Sequence, residues 1–516
     1  MKKKLFKTRL LSFAAFCGLT LAFASCANED VAQNPNNTDN DKNLTTFTAG
    51  DPTTRTSMES DGKFFWEAGD KIWVKDDNGA WKQSSNTPTA KAASFKFRVP
   101  GKFTQSSTYK VYYPGKNGNR DKVTISASQS QSEPNTTAHF GTSGDCGMAD
   151  ASKQSNGSFA FALDHKAAYL LFLPRTTNTI LQNCYLTKVE INSDNDITST
   201  YTLNPVTGEL TGTGTGKQII VLTGGNGTYA NGFPLTNTAT NAATNGSYVV
   251  IKPGTHTLKI RYWVKDIATN VEGTITKTLA SATYDQNKYY NITANLNVKD
   301  YDGDHYYMWD AQQQYWYGHE WWSANKDQPV LNGNSNSNYA KNNSDSRWYN
   351  GSYPGYGISN TATHASCKDL PNVNELTWYA AYGDPCWDAD ELWTTMGHLY
   401  KGGMWFKKKS VLVAEYHYDT EKSADGTDWR TTSKDESWSA SYTLPSAADA
   451  GKYFYLPALG YYHFGQLYRV GYNGIYWSSS ANPRYSGHAY ALNFLGGGVS
   501  VDYYDRFRGY RVGDFE

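Results

Sequence analysis

The sequence is poor in charge and in cysteine. Of its 516 residues only 19% are charged, and 48 Lys and Arg balance 48 Asp and Glu. Nucleic-acid binding needs a basic surface that neutralises phosphates, so this composition disfavours a nucleic-acid partner. The six cysteines include no C-x-x-C pair and are too few for a disulfide scaffold. Whether Cys367 and Cys386, which flank one predicted helix, form a disulfide stays open.

Motifs that support catalysis are also lacking. The ten histidines form no H-E-x-x-H zinc pair, and no G-x-S-x-G element exposes a serine nucleophile. The segment Gly212-x-Gly214-x-Gly216-Lys217 has the wrong glycine spacing for a phosphate loop, and Gln218 stands where a Ser or Thr would meet magnesium. We therefore expect no enzymatic activity, no catalytic residue and no cofactor.

Two acidic turns, Asp300-x-Asp302-Gly303-Asp304 and Asp425-Gly426-x-Asp428, have clustered carboxylates of the kind that suits calcium. Both are shorter than an EF-hand loop and lack its distal Glu, and ordinary turn chemistry accounts for them equally well. We predict no metal site, and calcium binding by these turns stays open.

The first 25 residues have the pattern of an export signal. Five basic residues precede a mostly apolar run, Leu10 to Ala24, that is too short to span a bilayer. The run ends Phe23-Ala24-Ser25-Cys26, which resembles a bacterial lipoprotein cleavage box. The resemblance implies removal of residues 1–25, a lipid on Cys26 and anchoring in the outer membrane. An ordinary secretory signal cut nearby is the alternative.

Residues 26–50 are rich in Asn, Asp and Thr and poor in apolar side chains, which predicts a flexible tether. Glu29 and Asp30 resemble the acidic export signal of Bacteroidota lipoproteins. This second resemblance implies a position facing the cell exterior.

Residues 51–299 have the pattern of a β-sandwich region. Short β-type segments alternate with Gly, Asn and Pro, and no long amphipathic helix interrupts them. The predicted strands are 71–74, 93–99, 109–113, 168–173, 187–191, 218–222, 248–251, 257–264 and 289–296.

Several motifs in this region resemble the fimbrillin-like lipoproteins of Bacteroidota. They are Thr54-Arg55-Thr56, Phe65-Trp66-x-x-Gly69-Asp70-x-Ile72, Tyr112-Tyr113-Pro114, Leu163-x-His165-x-x-Ala168 and Tyr289-Tyr290-Asn291-Ile292. The resemblance implies transthyretin-like β-sandwiches, surface display by a lipid anchor and, in some members, assembly with other pilin subunits by strand addition.

Residues 300–516 have a different composition, because 45 of the 76 aromatic residues lie there. Asn372 with Glu375 predicts a capped helix, and Asp388 with Glu391 predicts a second helix that ends at Gly402-Gly403. Strands are predicted at 410–414, 453–456, 474–479, 489–495, 499–502 and 509–512. The pattern indicates an α+β domain, and the whole chain is predicted to be mainly β.

The second domain resembles the C-type-lectin-like domains of Bacteroidota surface lipoproteins, including the variable proteins of diversity-generating retroelements. The motifs are 396–405 (M-G-H-L-Y-x-G-G-M-W), 454–460 (F-Y-L-P-A-L-G), 476–480 (Y-W-S-S-S), 489–494 (A-Y-x-L-x-F) and 509–512 (G-Y-R-V). Residues 513–516 extend beyond the last of these motifs. The resemblance implies a fixed frame with a variable ligand-binding face; whether that face is actively diversified stays open.

The alternation of side chains over residues 489–495 supports the same interpretation, a fixed frame with a ligand-binding face. Tyr490, Leu492 and Phe494 share one face of a predicted strand, which leaves the opposite face and the nearby loops for contacts. Trp405, Tyr476 and Trp477 are interpreted as core. Tyr, Arg, Asn and His on loops over a rigid sheet are typical of a binding face, although exposed aromatics also occur on ordinary hairpins. The predicted ligand-binding residues are Tyr468, Arg469, Tyr472, Asn473, His488, Asn493, Asp502, Tyr503, Tyr504, Arg506 and Phe507.

These features together predict a lipid-anchored surface protein that binds an external protein or glycan, as adhesins do. The alternative is a structural pilus subunit, at the tip or the anchor, whose sandwich region makes assembly contacts. A carbohydrate-processing enzyme is the least favoured class.

Overall fold

The computed structural model describes residues 43–50, 57–58, 64–351 and 361–516. The export signal, the lipidation site Cys26 and most of the predicted tether lie outside these residues. The fold is mainly β, as predicted. The described residues between Thr45 and Glu516 form one compact unit.

The strands up to residue 295 are short and numerous. They are β1 (Leu44–Ala49), β2 (Ser57–Met58), β3 (Phe64–Phe65), β4 (Trp73–Lys75), β5 (Trp81–Gln83), β6 (Phe95–Pro100), β7 (Thr108–Tyr113), β8 (Lys122–Ile125), β9 (Ser128–Gln131), β10 (Gly147–Lys153), β11 (Phe159–Phe161), β12 (Asp164–His165), β13 (Ala168–Arg175), β14 (Tyr185–Ser193), β15 (Ser199–Leu203), β16 (Leu210–Thr211), β17 (Gln218–Thr223), β18 (Phe233–Pro234), β19 (Ser247–Ile251), β20 (Gly254–His256), β21 (Leu258–Lys265), β22 (Glu272–Thr278), β23 (Ala282–Tyr284) and β24 (Tyr289–Asn295). All nine strands predicted for this region are confirmed, with ends shifted by one or two residues.

The remaining strands are β25 (Lys299–Tyr301), β26 (Tyr306–Tyr307), β27 (Cys386–Thr395), β28 (His398–Lys407), β29 (Glu436–Ser439), β30 (Tyr453–Pro457), β31 (Tyr461–His463), β32 (Gln466–Tyr468), β33 (Asn473–Ala481), β34 (His488–Leu495), β35 (Gly498–Asp505) and β36 (Tyr510–Arg511). The helices are α1 (Phe140–Ser143), α2 (Ala242–Asn245), α3 (Val373–Tyr382) and α4 (Lys409–Tyr416), with 3₁₀ turns at Leu181–Asn183, Gly227–Tyr229 and Ala450–Lys452.

Two larger sheets organise the chain up to residue 295. One has the strand order β5-β4-β7-β10-β11-β1-β6, and the other has the order β22-β21-β14-β17-β9. Strand β13 pairs with β19 at one edge and with β24 at the other, and its side chains are buried along almost its whole length in one apolar cluster. A near-continuous apolar strand of this kind belongs in the interior, where both of its faces are covered.

The predicted tether is wrong over its last residues. Strand β1 lies within residues 26–50 and pairs in parallel with β11, so that Phe47 faces Phe159 across the sheet. Phe47 and Ala49 are buried. From Thr46 to Ala49 apolar residues alternate with β-branched Thr, and this period-2 pattern fits a half-buried strand.

The C-terminal part has a four-stranded sheet, β25-β27-β28-β30, and a six-stranded sheet, β26-β36-β33-β34-β35-β29. Helix α3 packs on the second sheet through Val373 and Leu376. Its predicted cap is confirmed: the Asn372 side chain accepts from the Glu375 amide at 3.1 Å, and the Glu375 carboxylate accepts from the Asn372 amide at 2.8 Å.

The second predicted helix is wrong. Residues Cys386–Thr395 and His398–Lys407 form the β27–β28 hairpin, joined by Met396 and Gly397 with φ of 47° and 84°. Two residues in the left-handed region make the turn that suits paired strands. Asp388 does not cap a helix; its Oδ1 accepts from the amides of residues 390 and 391 and shapes a bulge.

The strand predicted at 410–414 is also wrong, because these residues belong to α4. The run Val411-Leu412-Val413 is too short for periodicity to separate helix from strand, and only Leu412 in this helix is buried. The other predicted strands of the C-terminal part are confirmed.

The cysteines of the described chain are all free and buried, so Cys367 and Cys386 form no disulfide. Within the same residues, the structure contains no helix with the length and apolar character needed to cross a membrane.

The β27–β28 hairpin also contacts the sheets that precede residue 295. Leu392 and Leu399 belong to the same apolar cluster as the core of β14 and β21. The Asp266 carboxylate, just after β21, accepts from the Leu399 amide at 3.0 Å. The boundary predicted between residues 299 and 300 therefore falls inside one compact unit, and the two-domain division stays a prediction.

Candidate ligand-binding surface

The β31–β32 hairpin presents aromatic side chains on its outer face. Tyr462 and Leu467 face each other across the hairpin and are fully buried. Because side chains alternate along a strand, the neighbouring pair Tyr461 and Tyr468 points the other way, and their rings stack with centroids 5.4 Å apart. The hairpin is anchored by one face and displays aromatic rings on the other.

The turn of this hairpin holds an exposed phenylalanine. Phe464 and Gly465 have left-handed φ values of 48° and 75°, as a two-residue hairpin turn requires. A Cβ on Gly465 would lie 2.1 Å from the carbonyl oxygen of Asn336, so only glycine fits. The Phe464 side chain is 59% exposed.

These rings continue into a longer row. Neighbouring ring centroids are separated by 6.5 Å for Trp348–Phe507, 5.4 Å for Phe507–Phe464, 4.2 Å for Phe464–His463, 6.5 Å for His463–Tyr468 and 5.4 Å for Tyr468–Tyr461. Tyr461 and Tyr504 both pack on the buried ring of Tyr510. We call this row the aromatic strip: Trp348, Phe507, Phe464, His463, Tyr468, Tyr461 and Tyr504.

Two titratable side chains of the strip, His463 and Tyr504, are uncharged at neutral pH. Partial burial and the nearby Arg508 lower the pKa of His463, which favours the neutral imidazole. Burial raises the pKa of Tyr504 to about 12. The strip therefore offers flat apolar faces with polar ring atoms, a combination that suits interfaces.

Three predicted residues, Tyr468, Tyr504 and Phe507, lie in the strip. Asn493 is next to it, and its Nδ2 donates to the Tyr504 hydroxyl at 2.9 Å. The Asn493 side-chain oxygen also accepts from the Asn473 Nδ2 at 2.6 Å, so the Asn493 side chain helps to stabilise the sheet.

A second group contains His488 and Tyr503, whose rings lie 5.8 Å apart with Tyr485 beside both. His488 Nε2 lies 3.4 Å from an Asp505 oxygen. Asp502 is half-buried on the neighbouring strand, and burial raises its pKa.

Two predicted residues that are exposed, Arg469 and Tyr472, belong to the loop before β33. Arg469 is exposed with a left-handed φ of 58°, and the Tyr472 side chain is 72% exposed. The amides of Tyr472 and Asn473 both donate to the Arg469 carbonyl at 3.0 Å, which fixes the loop.

Two of the predicted residues are buried. Arg506 is 1% exposed; its guanidinium lies 4.4 Å from the Trp309 ring and donates to the His488 carbonyl at 3.2 Å. Asn473 is buried, and its side chain donates to the Phe494 carbonyl at 2.7 Å. Placing them on the exposed face was wrong because a polar side chain also satisfies buried carbonyls at strand ends.

Several members of the strip were missed by the sequence analysis, namely Trp348, Tyr461, His463 and Phe464. For the last three a signal was present: apolar alternation on both sides of Gly465 predicts a hairpin. Tyr476 and Trp477 are buried as predicted, whereas Trp405 is only half-buried.

The acidic turn at 425–428 is satisfied by protein donors. Asp425 accepts from Ser423, Thr427 and Lys434 side chains. Burial raises the pKa of both carboxyl groups, but these hydrogen bonds, and those that Arg430 and Asn374 donate to Asp428, outweigh its effect. The pKa of Asp428 is lowered to about 2, and the pKa of Asp425 is also lowered from its usual value. Both carboxylates are charged at neutral pH and are held by the fold itself.

The other acidic turn is more open. The ligand atoms of Asp302, Asp304 and His305 lie within 4.8 Å of one another. Asp300 faces Thr394, whose hydroxyl donates to it at 2.7 Å. Surface carboxylates often gather in this way in turns without a metal, so the grouping by itself assigns no function.

No protein family matches the sequence, and no curated protein matches it either. Among solved structures, the chain is similar to a candidate cell adhesion protein from Bacteroides ovatus, with 15% identity, 48% of this chain and 91% of that chain covered, and a TM-score of 0.30. A candidate cell adhesion protein from Bacteroides uniformis gives 18% identity, 49% and 92% coverage and a TM-score of 0.26. A fimbrial protein from Bacteroides ovatus gives 10% identity, 91% and 98% coverage and a TM-score of 0.27.

Proposed function

We propose that this protein is displayed on the cell surface and binds an external ligand, as an adhesin does, through the aromatic strip. The observation that carries the proposal is the continuity of the strip. Seven rings adjoin one another, or the buried Tyr510 between two of them. They come from the β31–β32 hairpin, from β35 and the turn after it, and from the loop that contains Trp348. Rigid aromatic anchors on a fixed frame lose little conformational entropy on binding, which is why they dominate interface energetics.

The export pattern of residues 1–25 supports display, with the chain anchored through a lipid on Cys26 at the outer membrane. The C-terminal motifs that resemble lectin-like variable domains support a binding role for the same part of the chain. In this proposal the sheets up to residue 295 support the C-terminal part, which contains the aromatic strip. The ligand is a protein or a glycan.

We also propose that the protein is not an enzyme. The acidic residues that most resemble a catalytic pair, Asp388 and Glu391, shape the bulge of β27, where the Asp388 carboxylate accepts backbone amides. The strip itself offers neutral aromatic surface, which suits holding a partner more than transferring protons.

The proposal is tested by adhesion of beads that carry the mature chain to cultured epithelial cells. We expect the double variant Phe464→Ala, Tyr468→Ala to reduce bead adhesion at least about tenfold, as hot-spot truncations do. Tyr317→Ala is the matched control, because Tyr317 is 53% exposed and lies outside the strip. Equal adhesion by the double variant and the wild type would contradict the proposal, and filament formation by the purified chain in electron micrographs would favour the structural pilus subunit.

A further inference from the structure

A groove distinct from the aromatic strip crosses the loop before β33. Its larger part is a cleft of about 590 Å³ bordered by the β21–β22 loop, the bulge of β27 and residues 331–334. Its smaller part is a depression of about 500 Å³ bordered by Arg469 and Leu495. Trp387 and Tyr472 line both parts, so the two form one groove.

Two glycines lie close to the Trp387 ring. A Cβ on Gly402 would lie 3.2 Å from Trp387 Cζ2, which is a tight contact, whereas a Cβ on Gly496 would lie 3.5 Å from Nε1, an ordinary contact distance. Gly402 has a φ of 97°, so any side chain there would also be strained. The Trp387 ring is only 9% exposed, so surrounding residues cover most of it and a small part borders the groove.

Tyr472 forms the exposed wall of the groove. Its ring is 72% exposed, while the next residue, Asn473, is buried. Both amides donate to the Arg469 carbonyl, so an exposed aromatic face stands on a fixed backbone. Such a face costs little entropy when a flat or ring-shaped ligand covers it.

The larger part of the groove also has polar atoms that are open to solvent. Asp390 is 88% exposed and lies 3.8 Å from Lys401 Nζ, itself 37% exposed. The bulge fixes the backbone of Asp390, because its amide donates to Asp388 Oδ1. The two opposite charges compensate each other, so this part of the groove provides donors and acceptors without net charge.

We propose that this groove binds a neutral oligosaccharide. A sugar ring has a face of C–H groups that covers an aromatic ring and an edge of hydroxyls that both donate and accept hydrogen bonds. Tyr472 supplies the first surface, with the small exposed part of Trp387 beside it, and Asp390 and Lys401 supply partners for the second. The larger part of the groove, about 590 Å³, is within the range of about 300–1,000 Å³ that small-ligand sites occupy. This site is independent of the aromatic strip and of the function proposed for it.

The proposal is tested by calorimetric titration of the mature chain with cellotetraose, maltotetraose, mannotetraose, xylotetraose and chitotetraose, each at up to about 1 mM, the weak end of measurable affinity. We expect at least one of them to bind and to change the tryptophan fluorescence. Tyr472→Ala and Asp390→Ala are each expected to weaken that binding at least about tenfold. Tyr472→Trp retains an aromatic face and is expected to bind within about threefold of the wild type.

One control separates this site from others. Tyr317→Ala removes another exposed tyrosine, outside the groove, and should leave the affinity unchanged. Absence of binding by all five sugars, binding that survives both Tyr472→Ala and Asp390→Ala, or binding that Tyr317→Ala weakens as much as Tyr472→Ala does would overturn the proposal. Loss of bead adhesion in the Phe464 and Tyr468 double variant with sugar binding intact would show that the two sites are separate.

Discussion

Arg506 shows that residue type alone does not place a side chain on a surface. It follows β35 in a segment rich in Tyr, Arg and Asp, yet its guanidinium lies over the Trp309 ring and donates to the carbonyls of His488 and Asn350. Sequence reasoning recognised the composition of this segment. It could not foresee that Trp309, almost two hundred positions earlier, supplies an aromatic face for the cation.

We therefore expect Arg506→Ala to destabilise the fold instead of acting on binding alone. Removing a buried charged donor leaves carbonyls without a partner and costs about 2–4 kcal/mol. The measurement is the free energy of unfolding in urea. Arg484→Ala, at an exposed position, is the control and should change it by less than about 0.5 kcal/mol. An Arg506→Ala variant as stable as the control would show that the guanidinium is not needed by the interior.

Gly465 sets the position of the exposed end of the aromatic strip. With a φ of 75° and the Asn336 carbonyl 2.1 Å from the place of a Cβ, Gly465→Ala adds a steric clash to backbone strain. We expect a loss of about 2–3 kcal/mol in the free energy of unfolding, together with weaker adhesion. Gly157→Ala has a similar φ of 84° and open space around it, so it measures the strain alone, at about 1 kcal/mol. Equal losses in the two variants would contradict the clash.

Among the elements, α3 was predictable and the β27–β28 hairpin was not. Asn372 and Glu375 form a capping box whose two hydrogen bonds are both local, so the sequence contains the whole signal. At Asp388 and Glu391 the same spacing occurs, but Trp393, Thr394 and Thr395 favour strand and Met396-Gly397 makes the turn. The pairing of β27 with β28 on one side and β25 on the other then decides the structure.

The capping box of α3 can be tested by itself. Asn372→Ala removes the side-chain oxygen that accepts from the Glu375 amide, and we expect a loss of about 1 kcal/mol in the free energy of unfolding. Asn372→Asp retains an acceptor and should lower the free energy of unfolding by only about 0.3 kcal/mol. Thermal unfolding followed by circular dichroism measures both. Identical melting temperatures for the two variants would show that the cap does not stabilise this helix.

The aromatic strip was predictable in part, for a related reason. Tyr468, Tyr504 and Phe507 lie in a segment whose alternation and composition indicate an outward face. Trp348 comes from a loop more than a hundred residues earlier and meets Phe507 only through the tertiary fold, with ring centroids 6.5 Å apart. Local sequence patterns identify which face of a strand is free. Which distant residue packs beside that face, as Trp348 does beside Phe507, depends on the path of the chain between distant segments.

For the whole molecule, stability is expected to depend on pH through the half-buried His139, which lies far along the chain from the binding surfaces. His139 precedes α1, and its Nε2 donates to the Tyr248 carbonyl at 3.2 Å, while its Nδ1 is shielded from solvent without a hydrogen-bond partner. Burial lowers the pKa of His139 to about 4. Protonation of the folded chain would place a charge on Nδ1 where nothing accepts the proton.

The sign of this effect follows from proton linkage. Between about pH 6.5 and pH 4 the unfolded chain binds the proton and the folded chain does not, so the contribution of His139 is complete above this window and is lost as the pH falls through it. We expect His139→Gln, which retains a donor for the Tyr248 carbonyl, to remove about 2 kcal/mol of the change in the free energy of unfolding between pH 7 and pH 5. Urea unfolding of both proteins at each pH measures the difference. His463→Gln, on the half-buried strip, is the matched control and should remove less of this change in the free energy of unfolding. An unchanged pH dependence in His139→Gln would show that His139 is protonated without cost in the folded protein.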